Sequence, residues 1–188
     1  MRIILASKSP RRRQLLSEIV PNFEIIVADC DESLPSDVHP REGVELLAVR
    51  KGEAVLPLVS EEDMVISSDT LVELGGVPLG KPEDEDDARR MLRSLSGAAH
   101  NVHTGVAVHY KGRVFSGASS TAVYFKELSD SEIDEYIATG EPMDKAGSYG
   151  IQGLGGRFVT HHEGRFDTVV GLSLELTERL IEKAKKYD

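Results

Sequence analysis

Two apolar-rich runs, Val102–Tyr110 and Val114–Phe125, flank Lys111-Gly112 near the middle of the chain. Long β-rich runs joined by a two-residue turn predict a hairpin. An antiparallel pair rules out a purely parallel sheet, yet the segments on either side read alternately as strand and helix. Arg2–Ala6, Phe23–Ala28 and Met64–Ser68 read as strands. Ser9-Pro10 opens a helix, with serine as N-cap and proline at the first helical position, and Leu15, Leu16 and Ile19 facing inward. A second helix is expected from Pro40 to about Leu58, with Val44, Leu47, Ala48, Lys51 and Val55 near one face. After a turn at Gly75-Gly76, Asp84–Leu95 reads as a helix with an acidic first turn, ended by Ser96-Gly97. An acidic start complements the helix dipole. Ser129-x-x-Glu132 is a capping box opening a helix to about Thr139. Gly140–Gly156 is glycine-rich and irregular, and a last helix spans Leu174–Lys185. Interleaved elements with a hairpin give an α/β class with a mixed sheet. No linker divides residues 1–188, so one domain is expected, with two lobes around a cleft.

The 188 residues bury a full core without staples, on the order of 70% of the unfolded surface. Cys30 is the single cysteine, which excludes a disulfide framework and a cysteine-cluster zinc site. Net charge is −10 at pH 7, which argues against nucleic-acid binding, since that needs a basic face. No apolar run reaches the roughly 20 residues of a membrane span. Arg11-Arg12-Arg13 is followed by Leu15-Leu16 and at once by Ser17-Glu18, too short an apolar stretch for a secretory signal. The expected location is cytoplasmic.

Against that acidic background, four cations (Lys8, Arg11, Arg12 and Arg13) fall within six residues at the first strand-to-helix turn. Free backbone N–H groups there favour an anion, and arginine forks match phosphate oxygens. The bland reading is a solvated basic turn, with Arg13 the most exposed of the three arginines. Asp69 ends the third apolar run, where ligands bind beyond strand ends in open α/β sheets. A carboxylate there can hold Mg²⁺ or accept a proton from water. Asp31-Glu32 follows the second strand in the same way. Lys51, amid apolar helix neighbours, and Lys81, in a Gly-Lys-Pro turn, can each neutralise a phosphate. Taken singly, each of these residues is more simply a turn aspartate, a polar loop or a surface lysine. The sequence has no P-loop, no Gly-x-Gly-x-x-Gly after a strand, no His-Glu-x-x-His and no Gly-x-Ser-x-Gly. His100/His103 and His161/His162 lack further ligands at zinc-site spacing, so ordinary polar roles are expected.

Together, Ile4-Leu5-Ala6-Ser7-Lys8-Ser9-Pro10-Arg11-Arg12, Ser68-Asp69-Thr70, Leu79-Gly80-Lys81-Pro82, Leu95-Ser96-Gly97 and His103-Thr104-Gly105-Val106 form an ordered set. Gly140-Glu141-Pro142, Asp144-Lys145-Ala146-Gly147, Gly150-Ile151-Gln152-Gly153 and Val169-Val170-Gly171-Leu172 continue it. The set resembles the Maf family of nucleoside triphosphate pyrophosphatases over nearly the whole chain. The resemblance implies an elongated mixed sheet flanked by helices, with two lobes around a cleft, similar to the inosine triphosphatase architecture. It implies cleavage of nucleoside triphosphates between the α and β phosphates with Mg²⁺ or Mn²⁺, in a cytoplasmic protein that is often a homodimer. Ser7, Arg12, Glu32, Lys51, Asp69 and Lys81 fall on the family's functional positions, Asp69 on that of the proposed proton acceptor. Glu32 and Asp69 are the implied metal ligands. Arg11, Thr70 and Gln152 fall on positions associated with substrate choice and resemble the branch acting on dTTP and UTP. The 7-methyl-GTP branch usually carries an aromatic residue in place of Arg11 and glutamate in place of Gln152. Gln152 can accept from a pyrimidine N3–H and donate to a carbonyl, and Arg11 and Thr70 can donate to base or phosphate. Alternatively, Gln152 only braces its loop. Ser173, where proline is common, and Asp167, where asparagine is common, depart from the family pattern. The rival readings are a pyrophosphatase acting on 7-methyl-GTP or a modified pyrimidine nucleotide, and a nucleotide-binding regulator of septum formation.

Overall fold

The computed structural model describes residues 1–187. Among them, the expected hairpin is β5 (Ala99–Tyr110) and β6 (Arg113–Phe125), paired from Ala99↔Tyr124 to Tyr110↔Arg113. Lys111 and Gly112 take positive φ of 48° and 69°. That is the two-residue connection whose twist matches right-handed strands, and Gly112 adopts it without a Cβ clash.

The other strands are β1 (Ile3–Leu5), β2 (Glu24–Ile25), β3 (Met64–Leu74), β4 (Val77–Leu79) and β7 (Val159–Glu163). One sheet runs β2-β1-β3-β5-β6-β7, with β4 also on β3. β1 is parallel to β2 and β3, and the remaining pairs are antiparallel. The second strand is shorter than expected. Its only ladder partner is the three-residue β1, so pairing stops after Ile25. β7 is an edge strand in which only Val159 is apolar and half-buried; the four residues after it are polar and exposed, which leaves little apolar signal.

The helices are α1 (Pro10–Ile19), α2 (Pro40–Glu53), α3 (Glu85–Leu95), α4 (Asp130–Ile137), α5 (Phe166–Val170) and α6 (Leu174–Lys185). Ser9 caps α1, Asp84 caps α3, and Ser129 with Glu132 forms the capping box of α4. α2 ends at Glu53, short of Leu58, and a 3₁₀ turn follows at Leu56–Leu58. Pro57 has no N–H and its ring clashes with the carbonyl four residues back, so the helix cannot continue. Gly140–Gly156 is irregular as expected, built around short 3₁₀ turns.

Two main cores sit along the long strands. Val72, Leu92, Leu95, Tyr136 and Phe158 pack under α3, α4 and the 3₁₀ turns. Leu5, Leu16, Ile66, Val108, Leu172 and Leu180 pack under α1 and α6. A smaller cluster of Ile4, Ala6, Val55 and Val65 closes the opposite face of β1. Between the two lobes the sheet has a notch. β1 leaves β3 at Leu5↔Ile66 and β4 joins only at Val72↔Leu79, so 67–71 of β3 pairs on the β5 side alone.

An ion pair ties the N-terminal strand to β3. The Asp63 carboxylate accepts from Arg2 N, Nε and Nη2 at 2.9, 3.2 and 2.6 Å, and from Ser60 N at 3.1 Å. The Arg2 side chain, followed by the backbone donors, holds the Asp63 carboxyl down at about 2. Its unfolded value is about 3.9. Below about pH 4 the unfolded chain takes up a proton that the folded one refuses, so this contribution is complete at neutral pH and fades as pH falls towards 2. Asp63→Asn is therefore expected to lower the melting temperature at pH 7, with the gap to wild type closing between about pH 4 and pH 2. Melting curves across that range check it. A constant gap would mean that the charge on Asp63 contributes nothing.

Candidate active site

The structure corrects the expected position of Asp69. It does not end a strand; it stands in the middle of β3, opposite Gly105 of β5. The sequence reading ends the strand at Ser68 and lets Asp69 start a turn, but the strand continues to Leu74 and the hydroxyls of Ser67, Ser68 and Thr70 all have partners. Ser67 Oγ donates to Ala48 O (2.6 Å), Ser68 Oγ donates to Gly171 O (3.0 Å), and Thr70 Oγ1 lies 2.9 Å from Thr104 Oγ1. Satisfied polar groups do not break a buried ladder. Asp69 still borders an opening, because it sits just past the carboxyl end of β1, in the notch of the sheet.

Strand alternation turns Ser67 and Asp69 towards α2 and Ser68 and Thr70 towards the α1 side. At the notch both faces reach one cleft of about 910 Å³. Arg11, Arg12, Lys51 and Lys81 line it, as do Glu32, Asp69, Thr70 and Gln152. The structure thus gathers residues scattered from position 11 to position 152. Arg13 lies outside the cleft, in a surface groove beside β2. Asp31 also lies outside; its Oδ1 accepts from Ser33 N.

α2 brings Lys51 over Asp69. Lys51 Nζ meets Asp69 Oδ1 at 2.5 Å and Glu32 Oε1 at 3.2 Å, so one ammonium gathers two carboxylates. Asp69 Oδ2 has no hydrogen-bond partner among the described residues. Arg12 is fixed from behind: Nε donates to Gly171 O (2.8 Å), Nη1 to Ser7 Oγ (3.4 Å) and Nη2 to Thr70 Oγ1 (3.2 Å). Burial lowers its pKa, partly offset by Asp69, but a guanidinium stays charged in proteins. Three of its five N–H groups are committed, leaving two for a ligand. Ser7 is buried and does not line the cleft; its hydroxyl supports Arg12. Arg11 and Lys81 are exposed and make no ion pair among the described residues.

Thr70 differs from the expectation that it donates. Thr104 Oγ1 gives its proton to Thr168 O at 2.7 Å, so Thr70 must give its own to Thr104. With Arg12 donating to it as well, Thr70 has no hydrogen left and offers a ligand only a lone pair. His100 Nε2 pairs with the Tyr149 hydroxyl at 2.7 Å, and burial pushes its pKa down to about 4. His103 contacts Ser120 and Glu73. Among the described residues no group of three or more His, Cys, Asp or Glu is placed to hold a metal.

Asp167 accepts from Thr168 N (2.8 Å), Leu174 N (3.0 Å) and the Arg165 side chain. This departure from the family pattern closes the turn into α6, where Ser173 is the N-cap residue without a side-chain cap bond. Glu141 also lines the cleft. The individual residue reading missed it; the only signal was its place in Gly140-Glu141-Pro142.

The family model described as Maf-like protein matches residues 2–184. A dTTP/UTP pyrophosphatase of Vibrio cholerae is 48% identical over 182 residues, covering 97% of each chain. One from Desulfitobacterium hafniense is 49% identical, covering 95% of this chain and 83% of that one. The solved structure of the Staphylococcus aureus Ham1 protein superposes with a TM-score of 0.54 at 16% identity, covering 100% of this chain and 97% of that one. That likeness concerns the fold alone. With family match, relatives and ordered motifs in agreement, the chain belongs to the Maf-like protein family.

Proposed function

We propose that this protein hydrolyses dTTP and UTP to the monophosphate and pyrophosphate. The observation that carries the reading is the convergence of Glu32 and Asp69 on Lys51, in a cleft also lined by Arg11, Arg12 and Lys81. Those cations bind and neutralise a triphosphate, which a chain of net charge −10 would otherwise repel. The relatives' names agree with the pyrimidine nucleotide.

In this reading Asp69 Oδ2 accepts the proton of the attacking water. The water oxygen bonds to the α phosphorus as the bridging α–β bond breaks, and the electron pair leaves with pyrophosphate. Arg11, Arg12 and Lys81 offset the charge that develops on that leaving group. A divalent cation, Mg²⁺ or Mn²⁺, fits the donor set: two carboxylates already share one cation, and Mg²⁺ typically takes one or two carboxylates plus substrate phosphates. Glu32 and Asp69 would hold it, and when bound it supplies further charge neutralisation on the polyphosphate. Gln152, exposed in the cleft, presents an acceptor and a donor to the N3–H and a carbonyl of uracil or thymine. Thr70 offers a lone pair.

The test is product analysis with Mg²⁺ or Mn²⁺ over a panel that includes dTTP, UTP and 7-methyl-GTP. Monophosphate and pyrophosphate from dTTP and UTP are expected, with activity falling by ~10²-fold or more in excess chelator and returning with metal. Diphosphate and orthophosphate as products would overturn the cleavage site. Absence of turnover on every triphosphate would leave a nucleotide-binding module.

A further inference from the structure

We propose that Glu141 is a specificity-positioning residue that shapes the 150–156 loop and so aims Gln152 at the base. The inference rests on the pyrimidine reading above. It begins from the isolation of Gln152. That side chain is exposed at the cleft and makes no hydrogen bond within the protein among the described residues, so it does not brace its loop. Its own position is set by the backbone beneath it. That backbone includes Gly150, Gly153, Gly155 and Gly156, a composition with wide conformational freedom.

Glu141 removes that freedom. Its Oε2 accepts from Leu154 N at 3.0 Å, and its Oε1 accepts from Gly155 N at 3.2 Å and from the Tyr136 hydroxyl at 2.9 Å. The same Tyr136 oxygen accepts from Gly150 N at 3.2 Å. Backbone amides on both sides of Gln152 are thereby tied to one carboxylate–phenol pair, and Tyr136 is fully buried in α4. The chain passes so close that a Cβ on Gly153 would lie 2.4 Å from Glu141 Oε1. Burial raises the Glu141 carboxyl, but the Leu154 and Gly155 amides and the Tyr136 hydroxyl outweigh it and hold the group below its usual range. It acts as an ionised acceptor, the state in which such bonds are strongest.

Glu141→Gln keeps the size but replaces one acceptor oxygen with a donor, which then faces a backbone N–H. A lost, matched bond at such a point is felt as ~10-fold in discrimination. The expected result is a KM for dTTP and UTP raised ~10-fold or more with kcat changed far less, and unchanged inhibition by inorganic tripolyphosphate, which has no base. Tyr136→Phe leaves both Glu141–amide bonds and should show a smaller shift in the same direction. Equilibrium binding of UMP separates the inference from turnover: Glu141→Gln should weaken UMP about as much as it raises KM. If wild type turns over neither dTTP nor UTP but the UMP shift appears, the function reading fails and the positioning role stands. Equal losses for tripolyphosphate and nucleotide, unchanged UMP and dTTP affinity in the variant, or a wild type that binds no UMP would each overturn the inference.

Discussion

Asp69→Asn is expected to lower turnover of dTTP and UTP by at least ~10²-fold while leaving the fold intact, since general-base and metal contributions are each of that order or larger. The substitution keeps the shape of the side chain within β3. An amide oxygen at the Oδ1 position still accepts from Lys51 Nζ, and Lys51 retains Glu32 as a charged partner. The ladder to Gly105 is backbone and does not change. What disappears is the acceptor at Oδ2, which becomes an NH₂ group with no capacity for the proton of water. Arg11, Arg12 and Lys81 do not depend on Asp69 for their positions, so KM should move much less than kcat. Steady-state kinetics with a melting curve checks this. A folded variant with near-normal turnover would move the base role to Glu32.

Elements decided by short-range chemistry were legible in the sequence. The Lys111-Gly112 hairpin, the Ser9-Pro10 start of α1, the Ser129/Glu132 capping box and the span of α6 all depend on neighbours within one or two turns. Elements decided at long range were not. β3 runs through four polar residues only because Ala48, Gly171 and Thr104, distant in sequence, accept or share their hydroxyl protons. The same holds for the candidate site. The cations and carboxylates were legible as types, and the family resemblance picked them out, but no spacing along the chain shows that Glu32, Lys51 and Asp69 share one point. The donor state of Thr70 was misread because it is fixed by Thr104 and Thr168. Glu141 was missed because its partners are backbone amides, which carry no side-chain signature.

The contact between α2 and the sheet gives the second large expected effect. Gly105 stands opposite Asp69, and directly opposed residues of an antiparallel pair share a face. A Cβ on Gly105 would lie 2.1 Å from Val44 O, 2.4 Å from Val44 C and 2.6 Å from Glu45 N. All three are backbone atoms of α2, so no rotamer change relieves the clash and the helix itself must back away. α2 is the element that carries Lys51 over Asp69, about two turns beyond Val44. Gly105→Ala is therefore expected to lower kcat/KM by ~10²-fold, the cost that about 1 Å of misplacement can bring at a reacting centre. Overpacking should also destabilise the protein by about 1–3 kcal/mol, a drop of about 2–4 °C in melting temperature per kcal/mol for a chain of this size. Gly117→Ala is the control, because a Cβ there meets only the flexible end of Leu176, 3.1 Å away. Kinetics and melting curves on both variants decide the matter. If Gly105→Ala is folded and turns over dTTP like wild type, the glycine contact does not set the distance between Lys51 and Asp69, and the close approach of α2 serves packing alone.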